Sequence, residues 1–109
     1  MKVGVIRCRE TENICPATTD IKMALERKGV FEGEDAVELI GIVSCGGCPG
    51  KNAVLRAKEI VKRGADTIAF ASCVSKGNPL GFPCPNFEVM KRAVAAAVGE
   101  EIKILDYTH

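Results

Sequence analysis

No apolar run in the sequence approaches the roughly 20 residues that a membrane-spanning helix needs, and the early apolar segment Val3 to Ile6 is too short for the core of a signal peptide. Charge of one sign is not in excess either. Fifteen basic residues stand against fourteen acidic ones, dispersed without a single-sign block, and the formal net charge is +1. No surface built for nucleic acid or membrane is expected from such a balance. Histidine occurs once, at His109, and no internal repeat is visible. These absences point to a soluble, cytoplasmic chain. Its 109 residues, 47% of them hydrophobic, suffice for one compact domain over 1–109 but not for two ordinary ones.

What the chain has in excess is cysteine, six in 109 residues. A secreted miniprotein would use them as disulfides, but no export signal is seen and the core looks large enough to fold without staples. In a cytoplasmic chain the same count points to metal or redox chemistry. One or two of the six would pass as small buried hydrophobes. The set would not, because four of them lie in segments rich in glycine, proline and polar residues.

Hydrophobic periodicity divides the chain into alternating strands and helices. Lys2 to Arg7 is a short, β-branched strand ending at Cys8, followed by a polar segment containing Cys15-Pro16. Thr18, Thr19 and Asp20 are N-cap candidates for a first helix with Ile21, Ala24 and Leu25 on one face, stopped at Gly29. Val37 to Val43 forms a second strand, interrupted by Gly41 and ending at Cys45. A second helix carries Ala53, Val54, Ala57, Ile60 and Val61 on its inner face and closes at Lys62-Arg63-Gly64. Thr67 to Ala71 is a third strand, delivering Cys73. The stretch from Val74 to Pro85, with three of the five prolines, reads as an irregular binding loop holding Cys84. Asn86 caps a third helix whose inner face is expected to be Val89, Met90, Ala93, Val94 and Ala97. Ile102 to Leu105 is a last strand, just before His109.

Alternation of this kind implies an α/β fold, a three-layer α/β/α sandwich around a parallel sheet. Right-handed crossovers favour the strand order 2-1-3-4, a reduced flavodoxin-like sheet. Ligands bind such sheets outside the carboxyl ends of the strands, near the switch in strand order. Cys8, Cys45 and Cys73 follow three different strands, so this topology gathers them at one edge. Strands two and four would lie three spacings apart, roughly 14 Å, so His109 needs loop curvature to reach Cys45.

The densest chemical signal is Ser44-Cys45-Gly46-Gly47-Cys48-Pro49-Gly50. Two glycines allow a sharp turn at positive φ, and Pro49 suits a first helical position, which would set Cys48 near a helix N-terminus and favour its thiolate. The metal candidates are Cys8, Cys45, Cys48 and Cys73, then Cys84 and His109, with Cys15 last because it depends on a loop.

With Cys45-Gly46-Gly47-Cys48, Cys8, Cys73, Cys84-Pro85 and Thr108-His109, the sequence resembles the CGGC domain family of small, Cys/His-rich prokaryotic proteins described as predicted metal-binding. That resemblance covers nearly the whole chain and implies a metal site built from cysteines and histidine, and no particular reaction. Zinc is the expected metal, since it accepts mixed Cys and His ligands; an iron–sulfur cluster is the alternative, although no ferredoxin-type spacing is present. The rival reading is a thiol–disulfide oxidoreductase using Cys45 and Cys48. It lacks the aromatic that usually stands beside such a pair, where Ser44 is found. A cysteine phosphatase loop is excluded because Ile14, not arginine, stands six residues after Cys8. A P-loop is disfavoured because Cys45 replaces its first glycine and Asn52 its final Ser/Thr.

Overall fold

The structure, a computed structural model, describes residues 1–109. Four strands, β1 (Lys2–Arg7), β2 (Glu38–Ser44), β3 (Thr67–Phe70) and β4 (Lys103–Leu105), form one sheet in the order β2-β1-β3-β4, and every pairing is parallel. The helices are α1 (Thr18–Glu26), α2 (Asn52–Lys62), the single turn α3 (Ser72–Ser75) and α4 (Phe87–Val98). No helix is long and apolar enough to cross a membrane.

The first crossover runs one way along the sheet and the next two run the other, so right-handed connections place α1 on one face and α2 with α4 on the opposite face. Side chains alternate accordingly. Ile6, Ile68 and Phe70 pack with Ala53, Ala57 and Ile60 of α2 and Phe87, Met90 and Val94 of α4. Val3, Val5 and Ala69 pack on the other side with Ala24 of α1 and Phe31. Phe70 meets Phe87 edge to face, with centroids 5.4 Å apart, which fixes α4 against β3. Gly4 sits under α2, where a Cβ would lie 2.1 Å from Ile60 Cγ2, so glycine is what lets the helix approach the central strand. Opposite it, the β1–β2 register skips Ile40, pairing Val3 with Leu39 and Gly4 with Gly41.

The sheet and its order match the reading of the sequence; several helix details do not. Helix α1 has no side-chain cap: Ala17 occupies the N-cap in a left-handed conformation, and Asp20 is buried inside the first turn instead. The helix ends at Arg27, also left-handed, before Gly29 is reached, and Leu25 is exposed. Helix α2 starts at Asn52, so Pro49 and Gly50 belong to the preceding turn and Cys48 lies four residues short of the helix. The inner face of α4 is Phe87, Met90 and Val94; Val89, Ala93 and Ala97 face solvent. That helix is apolar on more than one side, so periodicity finds Met90 and Val94 but adds Val89, Ala93 and Ala97 and omits Phe87, which the ring of Phe70 draws inward. The segment after β3 begins with a helical turn, α3, rather than irregular chain.

Candidate functional site

The carboxyl ends of the strands carry the cysteines. Beyond β1, the Cys8 N–H donates to Cys73 Sγ at 3.3 Å, and the Cys8 carbonyl accepts the Thr11 hydroxyl at 2.8 Å. Thr11 is fully buried and locks the 3-10 turn Arg9–Thr11 under Cys8. The next loop is tied back to the strand, since the Cys15 N–H donates to the Thr11 carbonyl and the Arg7 guanidinium donates to the Cys15 carbonyl. Cys15 is therefore held rather than free on its loop.

Beyond β2, the Cys45 N–H donates to the Arg7 carbonyl at 2.8 Å, which keeps Cys45 in line with the sheet and buried. The turn that follows is built around Ser44. Its hydroxyl accepts the Gly46 N–H at 3.1 Å and the Arg56 guanidinium at 2.9 Å. Gly46 has φ +82°, and a Cβ there would stand 2.5 Å from Asn52 Cβ, so the turn needs glycine both for conformation and for room. Cys48, two residues on, is exposed. Cys84 is drawn back over the site by its N–H to the Val74 carbonyl at 2.8 Å.

As a result Cys8, Cys45, Cys48 and Cys84 line one cavity on the α2/α4 side, with Val74 and Met90 among its walls. A neighbouring recess is bordered by Cys8, Cys48, Cys73 and Cys84 under Leu80 and Phe82. All six cysteines are free thiols. Burial raises the pKa of Cys8, the nearby Cys73 and Cys45 adding repulsion that hydrogen bonds from Glu10 and Thr11 partly offset. Burial raises Cys73 too, helped by the Asp20 carboxylate and opposed by the Cys8 N–H, Thr11 and Arg7. As placed, no three Cys, His, Asp or Glu side chains form a ready metal-holding group.

His109 does not join the thiol cavity. The tail after β4 turns to the α1 side, where the Val30 N–H donates to the Thr108 carbonyl. Ser72 Oγ accepts the His109 N–H at 3.0 Å and donates to the His109 carbonyl at 2.8 Å, and Lys76 Nζ donates to the same carbonyl. The Thr108 hydroxyl donates to Asp20, while the Ser72 N–H donates to Thr108 Oγ1 at 3.3 Å. His109 thus lines a second cavity with Cys15, Cys73 and Asp20. Sequence reasoning missed Asp20, Ser72 and Thr11 as parts of this edge. The one available signal is the carboxylate in the Thr-Thr-Asp run, whose sequence pattern is equally that of a helix cap.

The model of the CGGC domain family matches residues 2–109. The chain belongs to the CGGC domain family. The chain is also similar to an uncharacterized protein of Methanocaldococcus jannaschii, 37% identical over 79 residues, a match covering 67% of this chain and 62% of the relative. The chain thus spans less than two thirds of that relative's length. No solved structure matches. In this CGGC domain the motif that names the family supplies two walls of the thiol cavity, Cys45 and Cys48, and β1 and the segment after α3 supply Cys8 and Cys84.

Proposed function

We propose that this CGGC domain binds a thiophilic metal, zinc or an iron–sulfur centre, through the thiolates of Cys8, Cys45, Cys48 and Cys84, with Cys73 beside them. The observation that carries the reading is that these four thiols, from positions up to 76 residues apart by number, line a single cavity at the carboxyl edge of a parallel sheet. The donor chemistry fits, since soft thiolates suit zinc and iron–sulfur centres alike. When bound, zinc supplies a closed structural or exchangeable centre, and a cluster supplies one-electron redox chemistry. The chain's own part is to hold the donors. The sheet sets Cys8 and Cys45, and the turn braced by Ser44 and Arg56 carries Cys48.

Anaerobic purification, followed by metal and acid-labile sulfide analysis and an absorption spectrum, tests this. Zinc without sulfide identifies the simpler centre; iron with stoichiometric sulfide and a visible chromophore identifies the cluster. Full wild-type metal in both Cys45→Ser and Cys84→Ser would sink the reading.

One observation favours a second reading, thiol–disulfide exchange: Cys48 is exposed beside a buried Cys45 on the same cavity. In that case the two thiols close to a disulfide while a substrate disulfide takes up the two electrons and two protons. Metal-free protein with a reductase activity lost in Cys45→Ser and Cys48→Ser would replace the metal reading.

A further inference from the structure

Helices α2 and α4 lie side by side on one face of the sheet, and apolar side chains remain open on their outer surface. We infer that the groove between them is the docking site for an amphipathic helix of a partner protein, apolar on one face and acidic along one edge. The inference stands whatever the thiol cavity holds.

An open groove of about 440 Å³ runs between the helices, walled by Val54 and Leu55 of α2 and by Val89 and Ala93 of α4, with Pro49 at one end. Leu55 and Val89 are 68% and 63% exposed. Large apolar side chains left open on one concave surface mark an interaction site, whereas scattered ones do not.

Charge decides what covers it. Lys51 lines the groove, and Lys58 and Lys62 follow it by seven and eleven positions, on the same stripe of the helix. None of these lysines takes part in an ion pair, and the Glu59 carboxylate on the same helix is bound to Arg63. Across the groove α4 presents Val89, Ala93 and Ala96, which carry no charge. A row of carboxylates on the occupant is the complement of such a one-sided basic rim.

Shape selects a helix. Two helices packed side by side leave a trough that a third fills by setting its side chains between theirs, and the small Ala93 and Ala96 let its backbone come close. A second copy of this chain is a poorer occupant, because a two-fold pairing of the groove sets lysine against lysine. A flat lipid surface leaves the trough unfilled. Position gives the contact its use: Pro49 follows the exposed Cys48, and Met90 walls both the groove and the thiol cavity, so the seated helix ends beside the thiols.

The probe is a synthetic helical peptide with leucines at i, i+3, i+4 and i+7 and glutamates along one edge, added to reduced, isotope-labelled protein and followed by NMR. Amide shifts are expected to cluster on α2 and α4, and binding to weaken as salt is added. Leu55→Glu and the triple variant Lys51→Glu/Lys58→Glu/Lys62→Glu should each weaken binding about tenfold or more. A peptide with lysines in place of the glutamates should bind the triple variant but not wild type, which plain stickiness would not produce. All four positions are exposed, so these variants should melt near the wild-type temperature. Absence of binding, or binding indifferent to all of these substitutions, overturns the site. Binding to phosphatidylserine vesicles but not to the peptide would make the groove a membrane contact instead. A wild-type dimer in sedimentation that Leu55→Glu dissociates would assign the groove to a second copy, and would equally overturn the inference.

Discussion

Cys73 lies where the two faces of the sheet meet. It packs against both hydrophobic clusters, accepts the Cys8 N–H, and borders cavities on either side. Because the Cys8 and Cys73 thiols titrate above the ordinary thiol value in the folded chain, the fold favours their protonated forms. The stability they contribute is fully present below the ordinary thiol pKa, about 8.5, and is lost as pH rises through the folded values. Metal-free, reduced protein should therefore melt at progressively lower temperature above pH 9. In Cys8→Ala/Cys73→Ala that alkaline slope should be shallower than in wild type. Melting curves in chelator and reductant between pH 7.5 and 10.5 check this, and an unchanged slope would contradict it.

At the scale of elements, two contacts decide how helices and tail attach to the sheet. Helix α2 lies close enough to β1 that Gly4 has no room for a methyl group beside Ile60. Gly4→Ala should cost about 1–3 kcal/mol by overpacking, and combining it with Ile60→Ala should cost clearly less than the two changes summed. Urea denaturation of the single and double variants measures the coupling; strict additivity would mean the helix simply shifts. The tail is fastened through Thr108, which is fully buried between Asp20 and Ser72. Thr108→Val leaves a buried carboxylate without its donor and should cost about 1–3 kcal/mol, whereas Thr108→Ser, which keeps the hydroxyl, should cost less than half of that. Equal losses in the two variants would show that the methyl group, not the hydrogen bond, matters.

Across the whole molecule, a parallel sheet buried on both faces brings the ends of β1, β2 and β3 to one edge, and with them cysteines remote in sequence. If metal binds there only in the folded state, it stabilises the fold by mass action, about 2.7 kcal/mol at a concentration of 100 Kd. For a domain of this size that corresponds to a melting temperature on the order of 10 °C higher. Chelation should remove the increment in wild type and have little effect on Cys45→Ser/Cys84→Ser. A wild-type melting temperature indifferent to chelator would count against a bound metal.

The strand order, the helix count apart from α3, and the gathering of Cys8, Cys45 and Cys73 at one edge were legible in the sequence. They follow from local signals, β-branched runs and helical periodicity, joined to the handedness of crossovers. The inner face of α4 was legible only in part: Met90 and Val94 are buried as expected, but Val89, Ala93 and Ala97 are as apolar as the buried stripe and only contact with Phe70 and α2 chooses between them. Nor was the start of α2, where the turn held by Ser44 and Arg56 delays the helix past Pro49. The division of the sulfur, nitrogen and oxygen donors into two cavities was decided only by tertiary structure. Which face of the sheet the tail crosses depends on buried hydrogen bonds between Asp20, Ser72 and Thr108, residues 36 to 88 positions apart, and no local pattern encodes bonds at that range.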